Sequence, residues 1–424
     1  MLTVPFIREN RDLVITRLKI KNFNNNSLIE EIIVLDNDRR AIQANFDSKQ
    51  NELNSYSKEI GILIRSGDKE GADRTKDKIS GLKDELKILH QRNTELAEKL
   101  ESLLIQIPNL PHESIPEGRG ETDNVIIRSG GKVPQLVNNA LPHWDLIKKY
   151  DIIDFELGTK LTGAGFPVYK GKGAKLQRAL ITFFLDQNIN AGYREFLPPL
   201  MVNEDSAYAT GQLPDKEGQM YTVPSDGFYL IPTAEVPVTN LFRDQILSSS
   251  DFPIKCTSYT PCFRREAGSW GKDVRGLNRL HQFDKVEIVQ IQHPEKSYAT
   301  LEEMASHIES LVTKLELQYR IVKLCGGDLS FTSAMTYDFE VFAAAQKKWL
   351  EVSSVSNFES FQANRLKLRY KDEKDKKNKL AHTLNGSALA LPRIVAALLE
   401  NNQTSEGITI PEALQPYTGF KIIN

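Results

Sequence analysis

A chain of 424 residues is long enough for two or three domains and a sizeable buried core. Its 40% hydrophobic and 26% charged residues give the composition of a soluble globular protein, which excludes a collagen-like, a disordered or a membrane-embedded chain. With 54 basic and 56 acidic side chains the formal charge is −2, so a nucleic-acid partner would need a local basic surface, not a global field.

The first ten residues contain no apolar run long enough for a signal peptide. Further on, Ile32, Leu35, Ile42, Phe46, Leu53, Tyr56, Ile60 and Leu63 recur at alternating spacings of three and four, with Arg39 and Lys49 as polar members. A second series runs Ala72, Ile79, Leu82, Leu86, Leu89, Leu96, Leu100 and Leu103, with Thr75 and Asn93 as its polar members. This heptad spacing predicts two helices with facing apolar seams. The break at Arg65-Ser66-Gly67-Asp68 has room only for an antiparallel reversal. At 1.5 Å per residue, residues 32–63 span about 48 Å. An arm over residues 1–108 and a body over residues 109–424 follow, separated by the Pro- and Gly-containing stretch 108–120. Residues 30–101 hold 13 basic and 16 acidic side chains, whereas a charge-driven phosphate binder would show the reverse. The spacing fits a nucleic-acid lever or a solvated hairpin for association; only Arg74, Lys76, Lys78, Lys83 and Lys87 suggest a positive face.

From about residue 120 the texture is mixed α/β. A helix is expected over 175–190, a strand over 194–202, strands at 228–231 and 286–289, a helix over 298–317 and a last apolar helix over 391–401. Residues 365–379, with eight Lys or Arg against three acids, read as a solvated loop, with contact to phosphates as the alternative. No stretch approaches the roughly 20 apolar residues of a spanning helix. Cys256, Cys262 and Cys325 are an odd, sparse set that fits a reducing compartment. The six-residue spacing of the first two is not that of a zinc site and no His pair lies nearby, so no structural zinc is expected. The chain reads as cytoplasmic, with no membrane partner.

No P-loop, dinucleotide fingerprint, Gly-x-Ser-x-Gly elbow or His-Glu-x-x-His is present. Instead, Cys262-Phe263-Arg264-Arg265-Glu266 is followed by a Gly- and Arg-rich loop over 267–280 and then by His281-Gln282-Phe283-Asp284-Lys285-Val286-Glu287. Two strands joined by this loop would bring Arg264, Glu266, Arg279, Phe283 and Glu287 onto one surface. Guanidinium forks suit phosphate, a ring can stack a base, and a carboxylate can accept from an amino group. A surface hairpin with exposed ion pairs is the alternative.

The Arg264-Arg265-Glu266 hairpin resembles motif 2 of the class II aminoacyl-tRNA synthetases. Gly192-Tyr193-Arg194-Glu195-Phe196-Leu197-Pro198-Pro199 resembles motif 1, and Asn385-Gly386-Ser387-Ala388-Leu389-Ala390-Leu391-Pro392-Arg393 resembles motif 3. Their order, Thr233-Ala234-Glu235, Glu351-Val352-Ser353-Ser354 and the N-terminal arm together resemble the seryl-tRNA synthetases over essentially the whole chain. The sequence departs from the family's common residues at Ala388, Pro392, Met335, Val355 and Asn364.

The resemblance implies an α+β fold, a class II antiparallel sheet flanked by helices, with an antiparallel two-helix coiled-coil arm. It implies a homodimeric ligase that converts L-serine and ATP to seryl-adenylate and pyrophosphate. Serine then passes to the 3′-terminal adenosine of tRNA(Ser), with tRNA(Sec) as a second candidate acceptor. In this scheme Arg264, Glu351 and Arg393 are catalytic. Arg264 would hold the ATP α-phosphate and the serine carboxylate, with Arg265 beside it; Glu266 would accept from the adenine amino group. Phe283 and Arg393 would sandwich the adenine, and Arg279 would face the γ-phosphate. Glu351 and Ser354, with Val352 and Ser353 between them, would hold Mg²⁺ against the phosphates. Thr233, Ala234, Glu235, Arg264, Glu287 and Ser387 would line the serine pocket. Carboxylate attack on phosphorus requires positioning and charge neutralisation more than proton transfer, so arginines and Mg²⁺ suffice. Local readings remain beside these: Thr233 as a helix cap, Asn385-Gly386-Ser387 as a turn before a helix, and Glu351 at a strand edge.

Overall fold

The computed structural model describes residues 1–215, 217–266 and 275–424. They divide into two units, Met1–Lys19 with Phe23–Pro108 and Ile20–Asn22 with Asn109–Asn424. In the first unit, short helices α1 (Val4–Glu9) and α2 (Arg11–Ile20) precede α3 (Asn26–Ser66) and α4 (Lys69–Leu104). Helix α3 has 41 residues and α4 has 36, so the arm is about 55–60 Å long. Its ends are chemically marked. Asn25 accepts from the Leu28 N–H, Gly67 closes α3 with φ +81°, and Asp68 accepts from the Gly71 N–H to start α4. The apolar seam is buried at Leu28, Ile32, Leu35, Leu82, Leu86 and Leu100. The polar seam positions find partners: Arg39 with Asp36 at 3.0 Å, Lys49 with Glu85, and Asn93 with Gln43 at 2.6 Å.

The second unit is built on an eight-stranded sheet. Its strands are β1 (Val125–Gly130), β2 (Arg194–Glu195), β3 (Ile254–Phe263), β4 (Gln282–Gln292), β5 (Tyr319–Lys323), β6 (Met335–Ala343), β7 (Lys348–Asn357) and β8 (His382–Ala390). The spatial order is β1-β5-β6-β7-β8-β4-β3-β2, antiparallel throughout except for the parallel β2–β3 edge. Helices α5 (His143–Lys149), α6 (Gly171–Asn190), α7 (Glu235–Asn240), α8 (Ser297–Lys314) and α9 (Leu391–Asn401) accompany it. Strand periodicity sorts the two faces. On β4, Val286 and Ile288 join the main core with Leu180, Phe184, Leu384 and Leu398, which leaves Lys285 and Glu287 on the opposite face. On β8, Leu384 and Ala388 enter that core while Asn385 and Ser387 face the other way. Among the described residues no helix is long and apolar enough to cross a membrane.

Several expectations need correction. The strand expected over 194–202 is two short strands in different sheets, Arg194–Glu195 and Met201–Val202; the Pro198-Pro199 pair between them lacks the N–H groups a continuous ladder needs. The segment 365–379 is not a simple loop. Arg365 is buried, its Nη1 donating to the Tyr208 and Leu213 carbonyls, and Arg369–Lys371 pairs with Asn378–Leu380 as a hairpin. Asn385-Gly386-Ser387 is not a turn but the middle of β8, paired with β4 throughout and with β7 at Asn385 and Gly386, and Glu351 lies within β7. The helix expected over 298–317 ends at Lys314. Part of the expected basic loop, residues 267–274, lies outside the described residues.

Candidate active site

Strand pairing assembles one half of the candidate site. Glu287 on β4 stands opposite Ser387 on β8 and opposite Ser258 on β3. Gly386 permits this approach of β7 and β8, since a Cβ there would sit 2.9 Å from a Val355 methyl. Glu287, 2% exposed, is ion-paired with the buried Lys285 at 2.5 Å. Thr233 joins both: its Oγ1 donates to Glu287 Oε2 at 2.9 Å and accepts from Lys285 Nζ at 2.8 Å and from the Glu235 N–H at 3.2 Å. The hydroxyl therefore uses its one proton and both lone pairs. The expected cap is displaced by one residue: Ala234 holds the N-cap position of α7, while Thr233 Oγ1 still accepts from the first N–H of the helix.

Glu235, at the start of α7, accepts from Gln362 Nε2 at 2.6 Å, and Gln362 is held in turn by Thr383 Oγ1 at 2.7 Å. Burial, and then the nearby charge of Glu287, push the Glu235 carboxyl up to about 7; Gln362, Lys285 and Asn385 pull in the other direction. Two carboxylates with one lysine leave this half of the site one positive charge short when both acids are ionised. Ala234 packs its methyl with Val238, Cys256 and Val289, so only its backbone is available to a ligand.

The other half lies at the Phe283 end of β4. Phe283 pairs with Cys262, and the Arg264 guanidinium lies over the Phe283 ring at 5.3 Å, while Arg264 Nε donates to the Pro232 carbonyl at 3.3 Å. Arg265 is exposed, its backbone N–H donating to the Gln219 carbonyl. Glu266 has φ +50° and is ion-paired with Arg279, so the adenine and γ-phosphate roles expected of these two require the pair to open. Arg393, in the first turn of α9, donates from Nε to the Asn278 carbonyl at 3.0 Å and from Nη1 to the Glu351 carbonyl at 2.7 Å.

Glu351 and Ser354 lie on β7, where Ser354 pairs with Asp338 of β6. Ser354 Oγ donates to Asp338 Oδ1 at 2.6 Å, and burial together with the Glu351 charge holds the Asp338 carboxyl well above its usual range. The Ser354 hydroxyl relieves part of this repulsion at Asp338, and the Arg393 guanidinium lies 3.8 Å from Glu351 Oε2. Among the described residues no group of three or more His, Cys, Asp or Glu side chains converges on one point. This donor set fits Mg²⁺ shared with nucleotide phosphates, which needs only one or two carboxylates from the protein. Val352 is a core residue, and Ser353 Oγ donates to the Ser387 carbonyl at 2.6 Å, tying β7 to β8.

The structure thus groups Thr233, Glu235, Glu287 and Ser387, and separately Arg264 with Phe283, Glu266 with Arg279, and Arg393 with Glu351. Sequence reasoning missed Lys285, Gln362, Asn385 and Asp338. Two of these carried a signal, because Lys285 and Asn385 stand two residues before Glu287 and Ser387 on their strands and so share their faces.

Comparison with known proteins follows this geometry. Residues 221–402 match the tRNA synthetase class II core domain (G, H, P, S and T), and residues 1–111 match the seryl-tRNA synthetase N-terminal domain. A serine–tRNA ligase of Salinibacter ruber is 48% identical over 99% of this chain and 98% of its own. The structure of a Pyrococcus horikoshii seryl-tRNA synthetase complexed with ATP superposes with a TM-score of 0.92 at 34% identity, covering 100% of this chain and 99% of that one. A cytoplasmic serine–tRNA ligase of Naegleria fowleri in complex with AMP gives a TM-score of 0.88 at 26% identity, covering 100% and 99%.

Proposed function

The chain belongs to the seryl-tRNA synthetase family and is a serine–tRNA ligase that uses ATP, and we propose that it works through the two half-sites just described. The observation that carries the proposal is the buried Thr233–Lys285–Glu287 cluster facing Ser387, with Glu235 beside it. That cluster suits a small zwitterion with a hydroxyl: Glu287 takes the α-ammonium, Glu235 and Ser387 meet the ammonium and hydroxyl, and Arg264 holds the carboxylate. Alanine would leave buried polar groups unpaired, which penalises it more than a missing methylene would.

Arg264 aligns the serine carboxylate oxygen with the ATP α-phosphorus. That oxygen forms the new P–O bond as the bond to pyrophosphate breaks, and no protein base is needed. Phe283 and Arg393 hold the adenine, and Arg279, released from Glu266, meets the γ-phosphate. Glu351 and Ser354, with Asp338 behind them, would hold Mg²⁺, which when bound neutralises charge on the phosphates. The 3′-terminal hydroxyl of tRNA(Ser) then attacks the seryl carbonyl and AMP leaves. The arm is assigned to the long variable arm of that tRNA, recognised by shape more than by bases.

A second copy of the chain is assigned to the β2 edge. Leu197 is 83% exposed there, and a hollow of 280 Å³ lies between Arg194, Phe196, Leu241, Phe242, Ile254 and Cys256.

The deciding measurement is ATP–pyrophosphate exchange across a panel of amino acids. Serine should support exchange, Arg264→Ala should abolish it and Glu287→Ala should weaken it at least about a hundredfold. Exchange with threonine or proline in place of serine would overturn the pocket assignment.

A further inference from the structure

His143, the first residue of α5, is fully buried and takes no part in the chemistry proposed above. Its Nε2 accepts from the backbone N–H of Leu277 at 2.9 Å. Because that N–H can only donate, the ring proton must be on Nδ1, which lies 2.8 Å from Glu400 Oε1. Glu400, on α9 two turns beyond Arg393, is itself fully buried and accepts from the His143, Ala345 and Gln346 N–H groups at 3.0–3.1 Å. Leu277 belongs to a single helical turn, Gly276–Asn278, whose next residue is Arg279. Arg275 before it lies over the Trp144 ring at 4.7 Å, and Asn278 within it supplies the carbonyl that Arg393 Nε uses. Gly276 has φ +66°, and a Cβ there would stand 2.3 Å from His143 Nε2. The turn is therefore shaped to let its backbone reach this imidazole.

We propose that His143 is a positioning residue for the nucleotide half of the site. Oriented by Glu400, it fixes the Gly276–Asn278 turn and through it the placement of Arg279 and Arg393. The inference rests on the reading of these two arginines as ATP ligands.

The test compares full-length wild type with His143→Asn, His143→Gln and Gly276→Ala. An Asn amide nitrogen replaces Nδ1 and keeps Glu400 but loses Leu277. A Gln amide oxygen reaches the place of Nε2 and keeps Leu277 while losing Glu400. KM for ATP and for serine is measured separately in pyrophosphate exchange, ATP affinity by calorimetry, and stability by thermal unfolding. His143→Asn and Gly276→Ala should raise KM for ATP at least about tenfold and leave KM for serine within about twofold. His143→Gln should stay within about threefold of wild type for ATP even though it melts earlier. The proposal fails if His143→Asn leaves ATP binding unchanged, if it weakens both substrates equally, or if His143→Gln is as impaired as His143→Asn. Should His143→Asn not fold, Gly276→Ala against His143→Gln decides the matter alone. Absence of serine exchange in wild type would count against the proposed function, while the calorimetric pattern would still decide the role of His143.

Discussion

Glu235 is the side chain on which solution pH should act most directly. With its carboxyl pushed up to about 7, it carries a proton over much of the range below neutrality. A substrate ammonium arriving beside it favours the ionised form, so binding below pH 7 must expel that proton and above pH 7 need not. KM for serine should therefore fall as pH rises from 6 to about 7, by at most about tenfold per unit, and then level off. Glu235→Gln should flatten this limb of the profile. A profile that keeps its slope in the variant would assign the titration to another group. At this scale the sequence was informative wherever strand alternation could be used. Glu287 was legible as a charged residue in strand-like surroundings, whereas Ser387 read locally as part of a turn and entered the site through the family resemblance. Gln362 and Asp338 were not legible, because their partners lie 127 residues away at Glu235 and 16 away at Ser354.

Among the elements, the β6–β7 ladder carries the metal reading. Its register places Asp338 against Ser354, and the ladder shifts between Phe339 and Glu340 on the way to Glu351. If Asp338 contributes negative charge to a cation held by Glu351 and Ser354, Asp338→Asn should raise the Mg²⁺ concentration for half-maximal exchange about tenfold and leave KM for serine unchanged. The same variant should lose the extra thermal stabilisation that Mg²⁺ gives in the presence of ATP. An unaltered Mg²⁺ requirement would make the Ser354–Asp338 bond structural. The arm helices were legible because heptad spacing is a long, redundant signal. Asn385-Gly386-Ser387 was misleading, since Asn-Gly is a strong local turn signal that the pairing of β8 with both β4 and β7 overrides.

On the scale of the whole molecule, the arm and the body separate as units, and every residue placed in chemistry lies in the second. The Glu31–Lys99 ion pair at 3.0 Å puts the two base ends of the arm side by side, so a short linker can replace residues 27–104. Such a deletion should leave serine exchange and a two-copy mass by sedimentation, and should reduce charging of tRNA(Ser) to background. Unchanged charging would show that the arm is not the tRNA reader. The 13 basic and 16 acidic side chains of residues 30–101 gave this expectation no support from charge, so it rests on the family resemblance.

The place of β8 in the sheet has a consequence for how the chain is made. It is the last of the eight strands to be synthesised, yet it lies between β7 and β4 near the middle of the sheet. Until residues 382–390 leave the ribosome, β7 and β4 each present a bare inner edge, and the two half-sites have no common floor. A product truncated before that point holds most of the residues of the site but cannot join them. The growing chain thus keeps its central seam unclosed until β8 is made, and it depends on residues 382–390 to become a single sheet.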